Sequence, residues 1–109
     1  MNLNEYQIKA LETAIYPKYG TNFSYPLISL FGECGELANK IKKIIRDDKS
    51  VITDEKRDEI KDELGDILWY LVVLAYEFGF TFDEVAQNNL LKLKDRQSRN
   101  VVKGSGDKR

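Results

Sequence analysis

The chain has 109 residues, a formal net charge of −1 and a charged fraction of 32%, which suits a single domain over residues 1–109 with charged and apolar faces. It has one cysteine and no histidine, which excludes Ser-His-Asp and Cys-His catalysis, an intrachain disulfide and a zinc framework. It lacks a run of about 18 apolar residues. We also see no signal-peptide pattern, so we expect no membrane span and a cytoplasmic location.

The first half of the chain predicts two helices. Apolar residues at helical spacing place the first helix between Asn2 and Ile15. Ser24 is a candidate N-cap, and the second helix runs from there, or from Pro26, to Arg46. A polar segment then separates this half from the next.

The second half predicts two more helices. The third begins near residue 53 or 54 and ends at Phe78, where Gly79 suits the position after a helix. Thr81 and Glu84 have the spacing of a capping box and start a fourth helix that ends near residue 98. No stretch alternates as strands do, so the predicted fold is all-α and four-helix-bundle-like, with a short C-terminal loop tail.

Two carboxylate pairs are the main chemical signal. Glu33 and Glu36 lie on the second predicted helix, and Glu63 and Asp66 lie on the third, each pair with i, i+3 spacing. This spacing puts both members of a pair on one helix face, so facing helices would gather four carboxylates. Such a cluster needs cations, and its hard oxygen ligands favour Mg²⁺, with Mn²⁺ next. Asp66 stands among apolar residues, where an unpaired acid would be costly to bury.

Other polar residues extend the two stripes. Lys40 and Lys43 follow the first pair on the same face and could hold phosphate, although the stripe taken alone favours a solvated face with Glu-Lys pairs. Tyr70 continues the second stripe and is either a ligand contact or a core aromatic. From Lys92 to Arg109 there are seven basic and two acidic residues, so the tail is basic and the rest of the chain acidic.

These motifs resemble the all-α nucleoside triphosphate pyrophosphohydrolases of the MazG type, especially the small single-domain bacterial and phage proteins. Three segments carry the resemblance: Gly32–Ala38 with the lysines after it, Asp62–Tyr70, and Asn89–Arg96. The closing Gly104–Asp107 also resembles the end of the small members. One position departs from the pattern, because Gly32 stands where many members have a glutamate.

The resemblance implies hydrolysis of an NTP or dNTP to the monophosphate and pyrophosphate. It assigns the metal and the catalysis to Glu33, Glu36, Glu63 and Asp66, with Glu33 or Glu36 as candidate base for the attacking water. The candidates for contact with phosphate or base are Lys40, Lys43, Tyr70, Asn89, Lys92 and Arg96. An aromatic slot for the base would come from Trp69, Tyr70 and the loop residues Tyr16, Tyr19, Phe23 and Tyr25.

Two other functions compete with this one. A non-enzymatic helical interaction module would explain the short, highly charged chain. Nucleic-acid binding through the basic tail would be weak and salt-sensitive, and no recognition motif accompanies it, so we do not predict it. A short chain of long amphipathic helices also predicts a homo-oligomer, and the resemblance implies a dimer or a tetramer.

Overall fold

The computed structural model describes all residues from Met1 to Arg109 and contains four helices and no strand. Helix α1 spans Leu3–Leu11, α2 spans Ser24–Asp47, α3 spans Asp54–Glu77 and α4 spans Phe82–Ser98. The remaining residues form turns and loops, including the tail after α4. The predicted all-α fold is therefore confirmed.

Helices α2 and α3 form an antiparallel hairpin that holds both carboxylate pairs. The connection is short because Lys49 and Ser50 adopt positive φ angles of 54° and 64°. The Thr53 hydroxyl then accepts from the Lys56 amide at 3.2 Å and caps α3. Ile44 is buried near this end of the hairpin, which brings the inner faces of the helices together.

Helices α1 and α4 pack at the other end of α3. The buried core there is small, and its members come from α1, the loop after it, α3 and α4: Ala10, Tyr16, Val72, Val73, Ala75 and Phe82. The buried Gln7 side chain joins these elements: it donates to the Val72 and Phe80 carbonyls at 3.1 and 3.2 Å and accepts from the Phe82 amide at 2.9 Å. One α1 side chain thus satisfies backbone groups where α3 ends and α4 begins.

The α1 helix is shorter than its apolar pattern predicts. It ends at Leu11, and the prediction that it continues to Ile15 is wrong. Turn hydrogen bonds join the Thr13 and Ala14 amides to the Ala10 and Leu11 carbonyls. Ile15 is 93% exposed, so it does not continue the apolar face.

The start of α2 also differs from its prediction. Ser24 is the first helical residue and not the N-cap, and no side chain caps at Phe23. Instead the Asn22 carboxamide oxygen accepts from the Tyr25 amide at 3.2 Å. The Glu77 carboxylate of α3 holds the loop between α1 and α2 in place, because it accepts hydrogen bonds from the Tyr16 hydroxyl and from the Gly20 and Asn22 amides.

Helix α4 leaves the hairpin at a sharp angle. Its capping box at Thr81 and Glu84 is confirmed. The bend between α3 and α4 is 98°, and no Cα atom of α4 lies within 8 Å of one in α2. The radius of gyration is 16.9 Å, whereas a compact domain of this length has about 13 Å. The single chain is therefore open, with large apolar side chains exposed on three helices: Ile28, Phe31, Ile45, Leu64, Leu68, Leu71, Leu90 and Leu91.

No single helix is long and apolar enough to cross a bilayer. By length and composition alone, α3 and α4 meet that criterion only when they are taken together across their bend.

Candidate metal centre

Three of the four predicted carboxylates come together between α2 and α3. One oxygen from each of Glu33, Glu36 and Glu63 lies within 4.8 Å of the others. Glu63 is only 7% exposed, and one oxygen of Glu63 and one of Glu33 are buried without a hydrogen-bond partner. Buried polar atoms are rarely left without a partner, so these two oxygens are the clearest local evidence that the cluster binds something.

The electrostatics of the cluster also favour a cation. Burial raises the pKa of the Glu33 carboxyl, and the nearby charge of Glu36, a hydrogen bond with Glu63 and the charge of Asp66 raise it further. A bound divalent cation would relieve the same repulsion between the carboxylates.

Lys40 is the one base that the structure places beside this cluster. Its ammonium lies 3.2 Å from a Glu63 oxygen, and this hydrogen bond is the main reason that the Lys40 pKa is raised. The contact occupies one oxygen of Glu63 and leaves the other, which has no partner. Lys43 is exposed on α2, and its positive charge lies near Asp47.

Asp66 does not have the environment that its neighbours in sequence suggest. It is exposed, and the buried carboxylate of its pair is Glu63, so the apolar residues beside Asp66 in the sequence do not bury it. The reason is that Leu64 and Leu68 are themselves 52% and 37% exposed and do not form a core around it. Asp66 still borders the cluster, since it lines a cavity together with Glu33.

Two adjoining cavities continue from the carboxylates towards the loop after α1. The first has a volume of about 350 Å³ and is lined by Glu33, Asp66, Trp69 and Tyr70. The second has a volume of about 310 Å³ and shares Trp69 and Tyr70 with the first; its other lining residues are Thr13, Ile15, Tyr16, Pro17 and Tyr25. Of the four predicted loop candidates, Tyr16 and Tyr25 line it. Tyr19 instead stacks on Tyr76, and Phe23 packs against Phe78.

The predicted polar contacts on α4 are not near the carboxylates of the same chain. Lys92 and Arg96 both contact Asp107 of the tail, and Asn89 is exposed. Because α4 stays clear of α2, a single chain does not unite these residues with Glu33 and Glu36.

Helical spacing did not point to the contacts of two further groups, Thr13 beside the cavities and Asp107 beside α4. Thr13 accepts a hydrogen bond from the Trp69 indole at 2.8 Å and so fixes one wall shared by the two cavities. Asp107 pairs with Lys92 and Arg96. The Gly-Ser-Gly run before Asp107 indicates a turn, but a turn alone does not predict which residues Asp107 contacts.

The crowding around Glu33 predicts a pH-dependent stability in the absence of metal. A carboxyl whose pKa is raised by folding favours the folded state below its unfolded pKa, and this contribution is lost as pH rises through the folded value. In EDTA, we expect Glu33→Gln to raise Tm relative to the parent protein, and the difference to grow as the pH increases above about 4.5. Thermal melts between pH 4 and pH 8 measure it; a difference that is the same at every pH would contradict the assignment.

Comparison with known proteins matches the part of the chain that contains α2, α3 and α4. A family model described as the MazG nucleotide pyrophosphohydrolase domain matches residues 25–101, which include both carboxylate pairs. Gene 37 protein of Mycobacterium phage L5 is 47% identical over 114 aligned positions, covering 100% of both chains. No solved structure matches. The family suggests a nucleotide pyrophosphohydrolase activity, and the chain belongs to the MazG nucleotide pyrophosphohydrolase domain family.

Proposed function

We propose that this protein hydrolyses nucleoside or deoxynucleoside triphosphates to the monophosphate and pyrophosphate, with Mg²⁺ or Mn²⁺ as cofactor. The observation that carries the proposal is the cluster of Glu33, Glu36 and Glu63, whose oxygens lie within 4.8 Å of one another on two facing helices. The family match suggests the class of reaction, and the carboxylate cluster is the site at which we propose that it takes place.

The residues present fit a hard divalent cation. All donors in the cluster are carboxylate oxygens, and two of the buried ones have no partner. Glu33 and Glu63 would hold the ion through these oxygens, with Glu36 and Asp66 beside them. When bound, the ion would neutralise charge on the triphosphate and lower the pKa of a bound water.

Glu36 is the carboxylate that we assign to the attacking water. It is the exposed member of the cluster, whereas Glu33 and Glu63 each have a buried oxygen that suits a metal. In this role Glu36 orients the water and accepts its proton as the water oxygen bonds to the α-phosphorus, and the α–β bridging oxygen leaves with pyrophosphate. Lys40 is close enough to Glu63 to hold that side chain in place and to lend positive charge to a phosphate.

The adjoining aromatic cavity is our proposed site for the nucleobase. It shares Tyr70 and Trp69 with the cavity that Glu33 lines. A base bound in the aromatic cavity would therefore direct its phosphates towards the carboxylates. The Tyr16 and Tyr25 rings stack on each other with centroids 4.9 Å apart and give the slot an ordered wall. Flat apolar walls recognise bases by stacking.

We therefore expect Tyr70→Leu to raise KM by about tenfold, since stacking on one aromatic ring contributes about 1–3 kcal/mol per base. Tyr70→Phe keeps the ring and should stay within about twofold of the parent, so the pair separates stacking from the hydroxyl. Steady-state kinetics with each of several triphosphates measure the effect. Equal KM values for Tyr70→Leu and Tyr70→Phe would remove Tyr70 from the base slot.

We also propose that the protein acts as a homodimer or a homotetramer. Apolar side chains stay exposed along α2, α3 and α4, and a second copy would cover them. Lys92 and Arg96 lie away from the carboxylates of their own chain. In an oligomer, these two bases of one copy could supply phosphate contacts at the carboxylates of another copy. Light scattering coupled to gel filtration tests this; a monomer at micromolar concentration would contradict it.

The reaction is tested with purified protein, MgCl₂ and a panel of NTPs and dNTPs. We expect the monophosphate and pyrophosphate as products and no turnover in EDTA. Release of orthophosphate with the diphosphate would exclude cleavage between the α- and β-phosphates. Absence of turnover with every nucleotide, in a protein that still binds Mg²⁺, would favour the helical interaction module.

A further inference from the structure

The tail after α4 folds into a small closed loop rather than trailing away. The Arg109 side chain donates to the Val101 and Val102 carbonyls at 3.1 and 3.0 Å. These hydrogen bonds bring the last residue of the tail back to the first residues of the tail. Gly106 has a φ of 81°, a conformation that favours glycine. A Cβ atom on Gly104 would lie 2.7 Å from Cδ of the Arg109 side chain, so a larger residue there would push Arg109 out of its present position.

This loop, residues 101–109, presents one acidic group to two bases of α4. The Asp107 carboxylate lies 3.1 Å from the Lys92 ammonium and 3.3 Å from an Arg96 nitrogen, and the same nitrogen donates to the Asp107 carbonyl at 2.6 Å. These hydrogen bonds hold the pKa of Asp107 below its usual range. Asp107 is the only acidic side chain in residues 100–109, which include three basic ones.

Arg96 is built to hold an anion there. It is only 5% exposed, and a guanidinium is rarely buried to that extent without an anionic partner. A single nitrogen of Arg96 makes both contacts with Asp107, while its buried Nε has no partner. A guanidinium carries five N–H donors and matches phosphate in a bidentate manner, so this one has unused capacity.

We propose that residues 101–109 are a strap that keeps the Asp107 carboxylate in an anion site formed by Lys92 and Arg96, and that a phosphate group must displace it. Asp107 itself is 85% exposed at its side chain, so it can leave the pair when a phosphate replaces it as the partner of the buried Arg96. Phosphate can bind only while Asp107 is away from the site. The apparent affinity for phosphate is therefore the intrinsic affinity multiplied by the fraction of molecules in which the site is free. The identity of the phosphate ligand as part of a nucleotide rests on the proposed function.

The test measures binding of inorganic pyrophosphate to the full chain by calorimetry in EDTA, so no turnover is involved. We expect Asp107→Asn to bind pyrophosphate about three- to fivefold more tightly than the parent, as expected for loss of a competing exposed ion pair. Gly104→Val loosens the strap without changing any charge and should tighten binding in the same direction. Combining Lys92→Gln with Asp107→Asn should abolish the gain.

Asp95→Asn is the matched control for charge. It removes one acidic group from the same end of α4, but Asp95 pairs with Arg99 at 2.9 Å and not with Lys92 or Arg96. We expect less than about a twofold change from this single surface pair. Pyrophosphate binding that is unchanged, weaker or undetectable in Asp107→Asn would overturn the proposal, as would an equal gain in Asp95→Asn. A gain in Asp107→Asn without one in Gly104→Val would overturn the strap. An inactive enzyme that passes these tests would refute the proposed function alone.

Discussion

Replacing Glu63 by glutamine is expected to lower kcat by about a hundredfold to a thousandfold, the effect of removing one preorganised charge from a catalytic site. Glu63 is the buried member of the carboxylate cluster, and one of its oxygens has no partner within the chain. Glutamine keeps the size and shape of the side chain but offers a neutral ligand, so metal affinity should fall with activity.

Stability distinguishes this loss from unfolding. In EDTA the variant should melt within a few degrees of the parent or above it, because the substitution removes one of the charges that crowd Glu33. The rise in Tm that Mg²⁺ causes in the parent, which follows from binding to the folded state alone, should be lost. Glu55→Gln is a matched control, since Glu55 is exposed in the first turn of the same helix. Full activity in Glu63→Gln would contradict the assigned metal centre.

Replacing Gln7 by leucine is expected to have the largest effect on stability. The side chain has a similar volume but makes none of the three hydrogen bonds to Val72, Phe80 and Phe82. A buried backbone group that loses its partner costs about 1–3 kcal/mol. We expect a loss of about 2 kcal/mol and a fall in Tm of roughly 10 °C for a domain of this size.

The measurement is thermal or urea unfolding at one fixed protein concentration, because an oligomer melts at a concentration-dependent temperature. Gln97→Leu is the control, since Gln97 is exposed on α4. A Tm for Gln7→Leu that equals that of Gln97→Leu would show that the Gln7 hydrogen bonds do not hold α1, α3 and α4 together.

Local signals predicted the helices well where a cap or a turn residue marked the end. Thr81 with Glu84 and Gly79 marked their helix ends correctly because such signals act within one turn. The predicted start of α2 was wrong, since the oxygen that accepts from the first turn comes from Asn22 rather than from Ser24. The predicted end of α1 was wrong too, because Ile15 has an apolar side chain without a core to bury it.

The candidate site shows the same division. Spacing alone predicted that facing helices would gather Glu33, Glu36, Glu63 and Asp66, and the structure brings oxygens of the first three within 4.8 Å of one another. Spacing could not tell which acid of the second pair is buried, since burial depends on which face of α3 meets α2. That choice fell on Glu63 and left Asp66 exposed.

The helical class, the carboxylate pairs and the basic end of α4 can be read from the amino-acid sequence, because helical periodicity and charge are properties of neighbouring residues. The packing of the chain was needed to show that Trp69 and Tyr70 form a wall shared by two cavities, that Gln7 joins α1, α3 and α4, and that Asp107 pairs with Lys92 and Arg96. The contacts of Gln7 and Trp69 join residues more than 50 positions apart, and Asp107 reaches α4 only through the turns of its loop. No local pattern encodes such pairings, which follow from how the helices and loops pack.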